Sequence, residues 1–174
     1  MKQLQIFDPK TESPSNHEHH HQHPWRLFVD GASRNNPGPS GAGIYVVRDA
    51  QEILKKGFYL GKKTNNQAEY LALLLGIFCL KKSLKKGESV VITSDSQLLI
   101  RQLRSEYKIK NPELKVLHAV AMKMLEELTY ECCHVLRVDN QEADAMANEG
   151  IDKKIPVPAG FITLLQQHDV KITF

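Results

Sequence analysis

The spacing of apolar and polar positions changes several times along the chain, and each change marks an element. Trp25 to Asp30 is a short apolar run closed by Gly31 and followed by the proline- and glycine-rich stretch Asn35 to Gly41, which predicts a strand and then a loop. Gly43 to Arg48 and Ile53 to Gly61, joined by the polar Asp49 to Glu52, predict two more strands and, with the first, an antiparallel meander. Between Asn66 and Lys82 the residues Ala68, Leu71, Leu75 and Phe78 recur at helical spacing, with Gly87 beyond as a stop, so a long crossover helix is expected. Ser89 to Thr93 is a β-branched run suited to a buried strand, and a second helix is expected from Ser96 to Leu103. Asn111 and Pro112 open a third helix, whose stripe Leu114, Leu117, Val120, Met124 and Leu128 reads as core packing. Tyr130 to Val138 predicts the last strand, and Asp139-Asn140-Gln141-Glu142 the acidic start of a final helix. The order β-β-β-α-β-α-α-β-α predicts an α/β fold, a mixed sheet covered by helices, without internal repeats.

Three segments follow. Residues 1 to 24, with Pro9, Pro14, Pro24 and the polar run Ser13 to His23, are expected to be a flexible arm. Residues 25 to 150 form the body. Residues 151 to 174 form an extension in which Ile155-Pro-Val-Pro158 and the apolar patch Phe161 to Leu165 predict a short helix packed on the body. With 174 residues, 41% of them hydrophobic and 25% charged, the chain suits one compact domain. The net charge of +3 is compatible with a polyanionic partner without requiring one. Cys79, Cys132 and Cys133 are too few and wrongly spaced for a disulfide framework or structural zinc, which points to a reducing compartment. The longest apolar run, Ala68 to Leu80, is interrupted by Glu69 and Tyr70 and falls short of the roughly 20 residues that span a bilayer. The N-terminus lacks the order of a signal peptide. A cytoplasmic monomer, not associated with membranes, is therefore expected.

Four acids suggest the chemistry. Asp30 and Asp95 close the first and fourth strands, and ligands of open mixed sheets bind beyond the carboxyl ends of strands at a topological switch. Glu69 and Asp144 fall in the first turns of the crossover helix and the final helix. Each alone could serve a turn or a helix dipole. If they converge, they would repel one another unless a cation intervened, and oxygen donors without cysteine or histidine favour Mg2+ or Mn2+. Such a cluster suits phosphodiester hydrolysis with two ions per site. Ser33, Ser94 and Ser96 flank the acids, but no histidine is placed to activate a serine nucleophile.

The segments Asp30-Gly-Ala-Ser-Arg-Asn-Asn-Pro-Gly-Pro, Thr64-Asn-Asn-Gln-Ala-Glu69-Tyr, Ser94-Asp95-Ser-Gln and Asn140-Gln-Glu-Ala-Asp144 closely resemble the type 1 ribonuclease H family over Trp25 to Gly150. The resemblance implies a mixed five-stranded sheet flanked by helices. It also implies metal-dependent endonucleolytic cleavage of the RNA strand of RNA/DNA hybrids, leaving 3′-hydroxyl and 5′-phosphate ends, with Asp30, Glu69, Asp95 and Asp144 as metal ligands. Asn36, Asn66 and Gln97 fall where the family contacts bases or sugars in the minor groove, and Thr64 and Asn65 near the phosphate backbone. Ser33, between Asp30 and Asn36, joins this substrate-binding set. A 2′-hydroxyl, both donor and acceptor, is what such groups would read. Alternative functions are a non-catalytic module holding hybrids or double-stranded RNA, and a related nuclease acting on DNA.

Two features depart from the family. Many bacterial members carry a glycine- and histidine-rich loop before the last helix, where this chain has only Arg137-Val-Asp-Asn140. Proton transfer or product release is then expected to differ, with Arg137 as an auxiliary group facing the site and His134 structural within its strand. The basic protrusion after the helix ending near Leu103 is also missing, and Tyr107-Lys-Ile-Lys110 takes its place. Hybrid binding is then expected to be weaker, salt-sensitive and dependent on Lys62, Lys63, Lys108 and Lys110, unless these lysines only solvate the surface. On the arm, Gln3-Leu4-Gln5-Ile6-Phe7 resembles the short motif with which bacterial proteins bind the replication sliding clamp, a match that five residues also reach by chance. The tract His17 to His23 reads as pH-sensitive and flexible.

Overall fold

The computed structural model describes residues 24–174, so the pentapeptide Gln3 to Phe7, the tract His17 to His23 and nearly all of the expected arm lie outside the described residues. Strands β1 (Trp25–Ser33), β2 (Gly38–Arg48) and β3 (Gln51–Lys63) form the expected meander. Helix α1 (Asn65–Leu80) crosses over to β4 (Ser89–Ser94), followed by α2 (Gln97–Leu103), α3 (Pro112–Leu125) and β5 (Thr129–His134). A single 3-10 turn, Arg137–Asp139, leads into α4 (Gln141–Lys153), and α5 (Ala159–Gln167) follows. The five strands lie in the order β3-β2-β1-β4-β5, with β1 antiparallel to β2 and parallel to β4, and β4 parallel to β5. No helix among the described residues is long and apolar enough to cross a membrane.

The sheet is covered on both faces. Trp25, Leu27 and Val29 alternate along β1 and are buried beneath α1, whose residues Leu71 to Leu75 have no exposure at all because α3 covers the outer side of the helix. On the other face α4 lies against β2 and β3. A Cβ on Gly43 would fall 1.8 Å from the carbonyl oxygen of Ala143, and one on Gly41 2.1 Å from that of Ala147, so glycine is what allows this helix its close approach. β2 begins at Gly38, where the glycines and prolines predict a loop, because β1 runs on to Ser33 and pairs with Ser40 and Gly41 while β3 pairs from Gly38 onward.

The last strand ends earlier than its apolar alternation predicts. β5 stops at His134, and after one further hydrogen bond, from Val135 N to the Ser94 carbonyl at 3.1 Å, there is no more of β4 to pair with. Leu136 and Val138 are consequently 68% and 63% exposed. Residues 155–174 continue the body. Phe161 and Leu165 of α5 enter the main core, Phe161 packs edge-on against Phe78 at 5.7 Å, and Tyr59 N of β3 donates to the Ile155 carbonyl at 2.6 Å.

Candidate active site

The register of the sheet decides which acids meet. Phe28 of β1 stands level with Thr93 of β4, so two residues further on Asp30, still within β1, comes beside Asp95, which directly follows β4. α1 brings Glu69 to them. The Thr64 hydroxyl accepts from Gln67 N at 3.3 Å while the Gln67 side chain accepts from Thr64 N at 2.8 Å, a capping box that fixes where the helix begins. Glu69 then accepts a hydrogen bond from Gly31 N at 3.2 Å. A Cβ on Gly31 would lie 2.1 Å from Glu69 N, so only glycine lets β1 and α1 come this close. Asp144 comes from the first turn of α4.

These four carboxylates line one cleft of about 480 Å3, together with Gly31, Ala32, Ser33, Arg34, Asn65, Ser96, Arg137 and Asn148. Asp30 and Glu69 are each 6% exposed. Burial, then the charges of Asp95 and Asp144, raise the Asp30 carboxyl from 3.8 to about 7, only partly offset by Arg137 and the Gly31 amide. Burial first, and then Asp30 and Asp95, hold Glu69 well above the ordinary carboxylate range.

Bonds within the protein occupy several of the carboxylate oxygens. Arg137 donates to Asp144 Oδ1 at 2.9 Å, Asn140 Nδ2 to Asp95 Oδ1 at 2.7 Å, and Gly31 N to Glu69. Among the described residues no three acid, histidine or cysteine side chains already form a closed metal cage. The donor set nevertheless suits a hard divalent cation. All four groups are carboxylates, two are buried against their own preference for ionisation, and ions such as Mg2+ keep several waters and need few direct protein ligands.

The substrate-binding residues expected from sequence divide into two groups. Ser33 and Asn65 line the cleft, with the Ser33 hydroxyl donated to the Lys63 carbonyl at 2.8 Å. Asn36, Thr64, Asn66 and Gln97 stand outside its lining. The side chain of Asn36 accepts from Asn65 N at 2.9 Å, the Thr64 hydroxyl is used in the cap, and Asn66 and Gln97 are exposed in the first turns of α1 and α2. Arg137 faces the site from the 3-10 turn, its side chain 79% exposed. His134 ends β5 with Nε2 3.2 Å from the Asp95 carbonyl oxygen. Lys62, Lys108 and Lys110 are exposed, but Lys63 is 7% exposed and turned away from solvent.

Asn140, which in sequence stands only within the acidic start of the final helix, belongs to the site and occupies the N-cap position of α4. Asn140 makes no side-chain capping bond; its amide donates to the Val29 carbonyl at 3.0 Å as well as to Asp95, and the residue is 2% exposed. It therefore bridges the strand carrying Asp30 to the side chain of Asp95. Its position within the Asn140-Gln-Glu-Ala-Asp144 motif was the available signal.

Comparisons with known proteins bear on the fold and the family. Residues 28–150 match a family model described as reverse transcriptase-like. The chain is 37% identical over 128 residues to a ribonuclease HI of Halobacterium salinarum, covering 72% of this chain and 63% of that protein. It is 34% identical over 142 residues to a ribonuclease H of Coxiella burnetii, covering 73% and 89%. It spans only 35% of the length of mycobacterial relatives that it also matches. Among solved structures, LC11-RNase H1 in complex with an RNA/DNA hybrid superposes with a TM-score of 0.70 at 32% identity, covering 74% of this chain and 97% of that one. With its sheet order, its four acids in one cleft and these relatives together, the chain belongs to the type 1 ribonuclease H family.

Proposed function

We propose that this protein hydrolyses the RNA strand of RNA/DNA hybrids, leaving 3′-hydroxyl and 5′-phosphate ends, with Asp30, Glu69, Asp95 and Asp144 as ligands for two Mg2+ ions that Mn2+ can replace. The observation that carries this reading is the meeting of four carboxylates from β1, α1, β4 and α4 in one cleft, with Asp30 raised to about 7. Held by these four carboxylates, divalent ions would supply an activated water and charge stabilisation for the leaving oxygen.

The chain's own residues do the rest. Asn140 holds the Asp95 carboxylate in one orientation, and the Gly31 amide does the same for Glu69. Arg137 neutralises part of the cluster while the acids stand alone, and at 79% exposure it is free to exchange Asp144 for a substrate phosphate. Asn65 and Ser33 on the cleft wall are the polar groups nearest to a sugar or base edge, and the exposed Asn66 and Gln97 in the first turns of α1 and α2 are free, among the described residues, of side-chain bonds that would compete for one. The relative solved with a hybrid supports that substrate class.

The test is cleavage of matched labelled RNA/DNA, RNA/RNA and DNA/DNA duplexes with Mg2+, Mn2+ or EDTA, with Asp95→Asn as control. Metal-dependent cutting of the hybrid's RNA strand alone, lost in the variant, is the expected result. Binding of the hybrid without cutting would make the chain a non-catalytic hybrid-binding module.

A further inference from the structure

Lys63 lies outside the acid cluster, yet distant parts of the chain meet on it. It is the last residue of β3 and 7% exposed. Its Nζ donates to the Thr173 carbonyl at 2.7 Å and to that of Lys62 at 3.3 Å, and lies 5.6 Å from the centre of the Phe174 ring. Its own carbonyl accepts the hydroxyls of Ser33 at 2.8 Å and Ser40 at 3.1 Å, one from the end of β1 and one from the start of β2. The next residue, Thr64, caps the helix that presents Glu69.

Withdrawing an ammonium from water is costly, and two neutral carbonyls and an aromatic face repay it only in part. An aliphatic side chain would fill this place at lower cost. What it would lack is directional donation, which fixes the corner where β3 passes into α1. The groups that fix it lie 110 positions downstream.

We propose that Lys63, held by Thr173 and Phe174, is a positioning residue for the acid cluster. It locks the corner between β3 and α1, and so sets the Thr64 cap and Glu69 against Gly31 and Asp30. The inference rests on reading Glu69 as a metal ligand, and it places residues 173 and 174 in the scaffold of the active site. Lys63 is then no part of the hybrid-binding surface, whereas its exposed neighbour Lys62 remains available to a phosphate.

The experiment uses the full chain with Lys63→Met, Lys63→Arg, Phe174→Leu and, as the neighbouring cation, Lys62→Met. Hydrogen exchange is followed at the Ala68 and Glu69 amides without metal, and hybrid cleavage across a Mg2+ titration. Lys63→Met and Phe174→Leu should speed exchange at both amides severalfold and raise the Mg2+ concentration for half-maximal rate. They should lower kcat by about tenfold or more, as slipping of a reacting geometry does, with little change in KM. Lys63→Arg, which keeps a donor, should fall between the parent and Lys63→Met. Lys62→Met should instead raise KM and flatten the salt dependence.

The proposal is overturned if the Lys63→Met variant keeps kcat while raising KM and flattening the salt dependence, since that is how a phosphate ligand behaves. Unchanged exchange at Ala68 and Glu69 overturns it as well. Phe174→Leu decides the matter if Lys63→Met does not fold. A parent protein that cleaves no hybrid would end the functional reading, and the exchange measurement would still decide whether the corner is locked.

Discussion

Replacing Asp30 by asparagine removes one charge from the most crowded part of the acid cluster and keeps the side chain's shape. In the metal-free protein the carboxyl is raised from 3.8 to about 7. The folded state therefore binds this proton more tightly than the unfolded state. Below about 4 both states are protonated and the group costs nothing. Between its ordinary value and about 7 the penalty grows with pH, and above that it is fully present. At about 1.4 kcal/mol per pKa unit, a rise of about 3 units corresponds to an upper limit of roughly 4 kcal/mol. Because Glu69, Asp95 and Asp144 share the repulsion, about 1 to 3 kcal/mol is the realistic gain from a single substitution. At roughly 2 to 4 °C per kcal/mol for a chain of this size, Asp30→Asn should raise the melting temperature by several degrees at pH 8. The gap should narrow toward pH 5. Thermal unfolding followed by circular dichroism in EDTA measures this directly. Adding Mg2+ should then stabilise the parent more than the variant, because only the parent offers the full ligand set. A variant no more stable than the parent at pH 8, or a gap independent of pH, would refute the reasoning.

Three further outcomes follow from the geometry. Asn140→Ala leaves the Val29 carbonyl without a buried donor and Asp95 without its clamp; urea unfolding should show a loss of about 1 to 3 kcal/mol, and cleavage should fall with it. Gly31→Ala drives a methyl group into the α1 backbone at Ala68 and Glu69 and should cost about 1 to 3 kcal/mol or more by urea unfolding, with loss of metal-dependent activity. Arg137→Ala breaks a largely exposed pair and should change stability by less than about 1 kcal/mol. It should also tighten Mg2+ binding measured calorimetrically without substrate, because the guanidinium no longer competes for Asp144.

Much of the arrangement could be read locally. The alternation in β1, the β-branched run of β4 and the stripe of α3 are each set by burial against a neighbour, so period and length are enough to identify them. Asp144 falls in the first turn of α4 and Asp95 directly after β4, as their surroundings suggest, whereas β1 runs on past Asp30 to Ser33 and Glu69 sits one turn into α1, because pairing with β2 and the Thr64 cap set those bounds. Contacts between distant residues could not be read locally. Asn140 reads as part of the acidic start of a helix, but it is used by Val29, 111 positions away. Lys63 looks like a surface cation and is buried by residues 173 and 174. Leu136 and Val138 continue the alternation of Tyr130 and Cys132, but β5 could only run as far as β4 gave it a partner. The patch Phe161 to Leu165 did announce a packed helix, because two faces of a short segment cannot both be apolar in water.

The outer strand β3 runs for 13 residues at the margin of the sheet, and an open margin of that length invites strand addition by another molecule. Several features discourage it: irregularities in its register at Ser40/Gly41 and Val46/Val47, the charged Lys55 and Lys56, and the Ile155 carbonyl that occupies the Tyr59 amide. The segment after α4 thus occupies one hydrogen-bonding position of that margin and leaves it less open to a further strand. Shortened forms of the chain that lack it would bare the Tyr59 amide together with the apolar surface under Phe161 and Leu165, and should precipitate in concentrated stocks.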